Sequence, residues 1–473
     1  MKLTCRLLFL TIMLLSLAAC ATAPRTVDPR TLTFAPLDFT IPKSDRVVLS
    51  NGMVIHLLED HELPLVNMTA YINVGSIYEP AEKTGLAGIT GAVIRTGGTT
   101  SLSSDQLDAE LEFMASGIES GIGDDAGNLT MTTLTKNLDR TLELFADVLI
   151  RPAFDERRFE LTRKNTREAI RRQNDDPKGI AGREIRRALY DGHPLGRVAT
   201  METVDRITRD DLAAFHQRFY RPQGMILAVS GDFDTAQMKA KLEKLFGGWR
   251  PAEEKIPAVA SPDTTPKKQI LLARKQVSQS VVRMGHLGLE KNNPDQHAVR
   301  VLDYILGGGF TSRLTQEIRS NQGLAYHAGS RFDIGRRFPG TFIAETETKS
   351  ASTARAIGLM QGIIAGLTKE PVSEEELNLA KDAIINSFIF GFAKADSVVN
   401  QQARLEFYGF PSGYLEGFRD NIAKVSREDV LRVARTYLHP DALTVMVVGD
   451  DAKFDQPLSV FGPVREIALE TAK

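Results

Sequence analysis

The chain has 473 residues, of which 42% are hydrophobic and 25% charged, and its formal net charge is -2. Single hydrophobic cores stop growing at roughly 250 to 300 residues, so this length predicts more than one domain. The near-neutral charge gives no basic field for counterion release, which excludes nucleic acid as an expected partner.

The first twenty residues predict an exported lipoprotein. Lys2 and Arg6 precede an apolar run over residues 7–17 that is too short to span a bilayer, a pattern typical of a signal peptide. The run ends in LAAC, which resembles the bacterial lipoprotein box, with Cys20 as the residue that is acylated. Ala21 after the cysteine is typical of sorting to the outer membrane, so we expect a lipid-anchored protein of the bacterial envelope that faces the periplasm. An ordinary signal peptide cut after a small-residue site is the alternative.

The rest of the chain reads as a tether followed by two copies of one unit. Residues 21–44 are rich in proline and threonine without periodicity and predict the tether. Asn51 and Gly52 separate two apolar runs, as in a two-residue hairpin turn, and a third strand follows. The segments YRPQGMILAVSGDFD and YLHPDALTVMVVGDD close the two copies, with Gly231 and Gly449 in register. The predicted boundaries are a signal peptide at 1–20, a tether at 21–44, domains at 45–250 and 269–473, and a linker at 251–268.

In each copy, the sequence pattern also predicts a strand followed by an amphipathic helix. NLTMTTLTKN and GTFIAETETKS are the strands, and apolar residues recur at helical spacing after both. A later helix in the second copy begins with Ser373 and Glu376 placed as a capping box. Strands that mix hairpins with helical connections predict an α+β fold with two homologous domains, each a mixed β-sheet with helices packed mainly on one face.

Five segments carry a resemblance to a known family: GLAGITGAVIRTGGT, RPAFDERRFELTRKNTREAIRRQNDDP, GHPLGR, YRPQGMILAVSGDFD and LGGGFTSRLTQEIRSNQGLAYHAGS. They resemble the insulinase or pitrilysin family of zinc peptidases, especially its shorter bacterial members and the mitochondrial processing peptidase. The resemblance covers most of the chain after the tether. It implies that the two domains form half of a clamshell.

The resemblance also shows which residues are missing. Active members of the family read GLAHxxEH, in which two histidines bind zinc and the glutamate activates water. Here those positions hold Gly88, Gly91 and Ala92, whose side chains have no donor atom. Glu168 lies at or beside the position of the third family ligand, and we interpret it as a solvated glutamate that pairs with Arg171 or Arg172. No two of the eight histidines stand at i and i+4, so we expect no metal in this chain.

The second copy retains two residues to which the resemblance assigns chemistry. Family members use an arginine and a tyrosine seven residues apart to reach the substrate carbonyl at the zinc, and RSNQGLAY places Arg319 and Tyr326 at that spacing. Both side chains are donors suited to a developing oxyanion. Taken without the resemblance, they are also ordinary residues for the end of a helix and the start of a strand.

The functional hypothesis is a zinc-free subunit of a lipid-anchored peptidase heterodimer. It would be inactive alone, bind extended peptides by added-strand pairing, and supply Arg319 and Tyr326 in trans to a partner subunit with the HxxEH motif and the zinc. The alternative is a non-enzymatic peptide-binding or assembly lipoprotein of the same fold.

Overall fold

The structure, a computed structural model, describes residues 39–469. The predicted signal peptide, the predicted lipidation site Cys20 and the tether as far as residue 38 lie outside the described residues. None of the helices within residues 39–469 has the length and apolarity needed to cross a bilayer.

The secondary structure alternates strands and helices through both halves of the chain. The strands are β1 Asp45–Val48, β2 Val54–Glu59, β3 Leu65–Ile72, β4 Gly117–Ile122, β5 Gly127–Leu134, β6 Ile226–Gly231, β7 Gln269–Arg274, β8 Gln279–Leu287, β9 Leu289–Glu290, β10 Ala328–Phe332, β11 Ile334–Gly335, β12 Thr341–Lys349, β13 Thr444–Gly449 and β14 Val464–Glu466. The α-helices are α1 Leu86–Thr96, α2 Ser104–Phe113, α3 Leu138–Ile150, α4 Glu156–Arg172, α5 Pro177–Leu189, α6 Met201–Asp205, α7 Arg209–Phe219, α8 Thr235–Phe246, α9 Gln296–Asp303, α10 Thr353–Leu367, α11 Glu374–Phe388, α12 Ala395–Phe407, α13 Phe418–Lys424 and α14 Arg427–Tyr437. Two π-helical turns, Tyr304–Gly308 and Thr315–Asn321, follow α9.

The two halves build sheets of the same design. The first sheet has the order β1-β2-β6-β3-β5-β4 and the second has the order β10-β12-β8-β13-β7-β14. Read from β2 and from β7, the orders of five strands match, and the pairs β2–β6 and β7–β13 are both parallel. The outer strands differ, because β1 is antiparallel to β2 whereas β14 is parallel to β7. Two mixed six-stranded sheets with helices confirm the predicted fold class. Residues 250–268 contain neither helix nor strand, while the domain boundaries themselves stay a prediction.

The predicted hairpin at the start of the first half is present, but its loop is one residue longer than expected. Leu49 N donates to Met53 O at 2.9 Å, which leaves Ser50, Asn51 and Gly52 as the turn. Gly52 has φ of 86°, the left-handed conformation that ends such three-residue loops. The Asn51 side chain donates to Phe246 O at 2.7 Å, so the turn is tied to α8.

Each sheet is covered on one face by a helix from the opposite half. Val399 and Ala403 of α12 pack on Ile226 and Ala228 of the first sheet. In return, α5 packs on the second sheet, and the buried residues of this contact are Ile180, Ala181, Ile185, Leu271, Ala273, Val281, Met446 and Val448. We call this arrangement the helix exchange. It buries the sheet faces that the helices of the same half leave uncovered.

Polar contacts at the edge of α12 strengthen the helix exchange. The Arg46 guanidinium donates to the Glu406 carboxylate, with Nη2 2.7 Å from Oε1, and His56 Nε2 lies 2.9 Å from Oε2. His56 is only 6% exposed, whereas Arg46 is half exposed. The contribution of Glu406 therefore comes mainly from satisfying the buried imidazole.

We expect Glu406→Ala to lower the free energy of unfolding by about 1–3 kcal/mol, because it leaves Nε2 of the buried His56 without its partner, while Nδ1 keeps its hydrogen bond with Ser44 Oγ. The hydrogen bond from Arg46 holds the pKa of Glu406 below its usual value of 4.5. The carboxylate thus stabilises the fold above pH 4.5, and this contribution disappears as the pH falls through the lowered pKa. Urea titrations of the variant, the wild type and the exposed-site control Glu416→Ala check this. Equal losses in both variants would contradict it.

Candidate functional site

Helix α1 carries the positions that correspond to the zinc motif in the family resemblance, and its first turn is fixed by a buried carboxylate. Gly85 precedes the helix with φ of 108°, a conformation that favours glycine. The Glu79 carboxylate accepts hydrogen bonds from Gly85 N at 3.1 Å and Ala87 N at 3.0 Å. The helix that carries the motif positions is therefore fully formed. The Glu79 carboxylate satisfies two of the N–H groups at the helix start that have no partner within the helix.

Burial raises the pKa of Glu79 to about 7, against the opposing effect of the two backbone N–H groups. Between pH 4.5 and 7 the folded chain keeps a proton on Glu79 that the unfolded chain has lost. Stability must therefore fall as the pH rises through this window, by about 3 kcal/mol. We expect Glu79→Gln to remove this slope. Urea unfolding at pH 5 and pH 7.5 would show a stability difference between wild type and variant that changes with pH, and parallel pH profiles would contradict the prediction.

The three motif positions of α1 have different surroundings. Gly88 is exposed, and a Cβ added there would meet no atom within 4 Å. Gly91 is buried against the edge strand β4, and a Cβ there would lie 2.5 Å from Ile122 N and 3.0 Å from Gly121 C. Ser120 also donates to Gly91 O at 2.5 Å. The glycine in the place of the family glutamate thus allows β4 to approach the helix backbone.

These residues do not fit a zinc ion. Gly88, Gly91 and Ala92 offer no donor atom, and no group of three or more His, Cys, Asp or Glu side chains in residues 39–469 is arranged to hold a metal. Glu168 lies in α4 with a side chain 54% exposed, 3.6 Å from the Arg171 guanidinium and 3.5 Å from that of Arg172. The interpretation of Glu168 as a solvated, arginine-paired residue is confirmed.

The second predicted site places Arg319 and Tyr326 side by side. Arg319 lies in the second π-helical turn, and its Cζ is 4.9 Å from the centroid of the Tyr326 ring. Tyr326 precedes β10 and is 85% exposed. The geometry brings the two predicted residues together, with Tyr326 exposed and Arg319 half-buried, while their chemical role stays a prediction.

Sequence reasoning missed a third member of this cluster. The Phe310 ring centroid lies 5.0 Å from Arg319 Cζ, although the Phe310 side chain is 71% exposed. A cation held against two aromatic rings is stabilised by about 0.5–1 kcal/mol at an exposed site. We call Phe310, Arg319 and Tyr326 the stacked triad. The available signal was a phenylalanine directly after Gly307 to Gly309, where a core residue is not expected.

The triple glycine Gly307 to Gly309 allows two backbone segments to pack closely. A Cβ on Gly307 would overlap Ser330 N and lie 2.5 Å from Ser330 Oγ, so the first π-helical turn sits directly on β10. This contact fixes the loop from which Phe310 projects.

The structure also has a large cavity at the junction of the two halves, which the sequence did not predict. Its volume is about 1400 Å³, and it lies between α5, β10, the segment 331–341 and α12. Its lining does not include the motif positions of α1 or the stacked triad. Asp124 and Asp125 form part of its wall, and the Asp125 carboxylate accepts a hydrogen bond from the Tyr408 hydroxyl at 3.2 Å.

Comparison with known proteins identifies the family. The profile described as Insulinase (Peptidase family M16) matches residues 54–203, and the profile described as Peptidase M16 inactive domain matches residues 206–384. An uncharacterized zinc protease of Mycobacterium leprae is 30% identical over 313 residues, covering 65% of this chain and 69% of that protein.

Two further relatives match over most of their length. A Helicobacter pylori protein named a non-peptidase homolog is 22% identical, over 84% of this chain and 91% of its own length. The crystal structure of a peptidase M16 inactive domain from Pseudomonas fluorescens has a TM-score of 0.78 at 24% identity, covering 86% of this chain and 98% of that one. With matching profiles across both halves and a relative at 30% identity, the chain belongs to the insulinase family, peptidase family M16.

Proposed function

We propose that this chain is the zinc-free subunit of an M16 peptidase pair, in which it binds extended peptides and supplies Arg319 and Tyr326 to the metal site of a partner subunit. The observation that carries the proposal is the contrast between the two candidate sites. Helix α1 has no donor side chain at the metal positions, yet Arg319 and Tyr326 remain together, with Arg319 half-buried and Tyr326 exposed.

The stacked triad has the chemistry that this role requires. The Arg319 Cζ lies over the rings of Phe310 and Tyr326, and its N–H groups make no hydrogen bond or salt bridge within residues 39–469, so they are available to an acceptor. The Tyr326 hydroxyl adds a second donor. Two fixed donors are suited to the oxygen that becomes negative when water attacks a peptide carbonyl. Phe310 would act as a positioning residue that fixes the guanidinium.

The alternative function is a non-enzymatic peptide-binding or assembly protein. The name non-peptidase homolog, given to the Helicobacter pylori relative, favours this alternative, because that relative covers 84% of this chain. The two functions differ in one measurable respect. Only a peptidase subunit would change the turnover of a metal-bearing partner.

We further propose that the mature chain is anchored through a lipid on Cys20 at the outer membrane and faces the periplasm. The support is the LAAC sequence at residues 17–20, followed by Ala21. Metabolic labelling with a palmitate analogue tests this, with Cys20→Ser as the control that should lose the label. Equal labelling of both proteins would contradict acylation at Cys20.

The test of the peptidase role is reconstitution with an HxxEH-containing M16 protein encoded in the same genome. The full chain alone is expected to cleave no peptide, and the purified pair should cleave unfolded peptides in a chelator-sensitive reaction. A stable complex whose activity equals that of the partner alone would support the scaffold alternative. Chelator-sensitive cleavage by the isolated chain would overturn the proposal.

A further inference from the structure

We propose that the cavity at the junction of the two halves binds an acidic segment of an extended peptide. The inference rests on the proposed peptide binding and adds a preference for substrates with carboxylate side chains. It concerns a surface separate from α1 and from the stacked triad, since neither lines the cavity.

The carboxylates of the cavity wall already have salt-bridge or hydrogen-bond partners within the protein. Four arginine–carboxylate pairs account for four of the five lining carboxylates: Arg186 with Asp124, Arg283 with Glu345, Arg331 with Asp333 and Arg337 with Asp125. The fifth, Asp303, accepts a hydrogen bond from Ser330 Oγ at 2.7 Å. Burial raises the pKa of Asp303, which favours its neutral form. The acidic residues therefore leave little negative charge to repel an anion.

Three further arginines line the same cavity without a salt bridge to any carboxylate in residues 39–469. They are Arg300 of α9, Arg336 after β11 and Arg404 of α12. Arg300 Cζ lies 5.2 Å from the Phe418 ring centroid, and Arg336 Cζ lies 4.6 Å from that of Tyr408. These ring contacts hold the two guanidinium groups at the cavity wall, while their N–H donors remain available for a carboxylate.

The cavity volume argues for a peptide over a small anion. Pockets for small molecules usually enclose about 300–1,000 Å³, and this cavity is larger. Its wall combines the unmatched arginines with aromatic and aliphatic side chains such as Phe332, Phe338 and Leu405. An extended segment with alternating acidic and apolar residues would complement both features.

The test measures fluorescence anisotropy of the full chain with three labelled twelve-residue peptides of equal length and apolar content, one acidic, one neutral and one basic. We expect the acidic peptide to bind about tenfold more tightly than the neutral one, and this advantage to shrink as salt is raised. The double variant Arg336→Gln/Arg404→Gln should lose the advantage and keep the affinity for the neutral peptide. Arg336→Lys/Arg404→Lys, which keeps both charges, should retain most of it, and Arg465→Gln at an exposed site is the matched control.

The outcomes separate the inference from the function on which it rests. Equal affinity for acidic and neutral peptides would overturn the acidic preference and leave peptide binding intact. An acidic preference that survives in the double glutamine variant would place the site elsewhere and overturn the assignment to this cavity. No binding of any peptide would overturn both proposals. Displacement of the acidic peptide by inorganic phosphate at equal concentration would show a small-anion site in place of a peptide site.

Discussion

Replacing Arg319 with alanine, in the complex with a metal-bearing partner, is expected to lower kcat by about 10²–10³-fold and to leave KM nearly unchanged. The reason is that the guanidinium would contact the carbonyl oxygen most strongly once this oxygen has become negative. An interaction made mainly in the transition state affects turnover and contributes little to ground-state binding. The measurement is steady-state cleavage of a quenched fluorescent peptide by the reconstituted pair.

The neighbours of Arg319 provide the controls. Tyr326→Phe keeps the ring that stacks on the guanidinium and removes only the hydroxyl, so its kcat should also fall while the fold is preserved. Phe310→Ala should reduce kcat by less than Arg319→Ala, because the donors stay and only their support is lost. Arg465→Ala, at an exposed site of β14, should have no effect. A pair that keeps full activity with both Arg319→Ala and Tyr326→Phe would refute the role in trans.

Restoring the family motif by Gly88→His, Gly91→Glu and Ala92→His is expected to give an unstable protein and no zinc peptidase. The glutamate Cβ would have to occupy space 2.5 Å from Ile122 N and 3.0 Å from Gly121 C. These are backbone atoms of an edge strand and cannot rotate away as a side chain would. We expect the free energy of unfolding to fall by about 3 kcal/mol, the upper part of the usual range for overpacking. Urea unfolding and zinc content after dialysis measure the two effects.

Single substitutions on the same helix give a matched comparison. Gly91→Ala adds one methyl group against β4 and should lower stability. Gly88→Ala adds the same group where no atom lies within 4 Å, and should raise stability by up to about 1 kcal/mol through the better helix propensity of alanine. Equal effects of the two substitutions would contradict the account of Gly91 as the contact point with β4. Stoichiometric zinc in the triple variant, with chelator-sensitive cleavage, would show that the scaffold still accepts the metal.

Much of the fold could be predicted from the sequence because the patterns that indicate it are local. The capping box at Ser373 and Glu376 forms as predicted. The apolar stripe that includes Phe145 in α3 and the one that includes Met360 in α10 are both buried, since a 3.6-residue period fixes which side of a helix meets the core. The duplication was visible because five strands of each sheet follow the same order, and corresponding strands carry similar apolar patterns.

The features that were missed depend on contacts between distant parts of the chain. No local pattern shows that α12 covers the first sheet, because Val399 and Ala403 are ordinary helix residues until Ile226 is placed against them. The extra hairpin residue escaped prediction because Asn-Gly is typical of two-residue and three-residue turns alike. The cavity and its arginines without a carboxylate partner could not be predicted from the sequence, because the pairing of each arginine depends on the folded chain.

The helix exchange also limits how the molecule can move. If the halves swung apart, Ile180 and Met446 on one side and Val399 and Ile226 on the other would be left in water, so a hinge within this chain is disfavoured. In the proposed pair, a gate that admits a long polypeptide would therefore have to open between whole subunits, each turning as a rigid body. A truncated chain that ends in the linker would expose the sheet face that α12 covers. We therefore expect this fragment to aggregate and to be sensitive to proteases, even though its own sheet is complete.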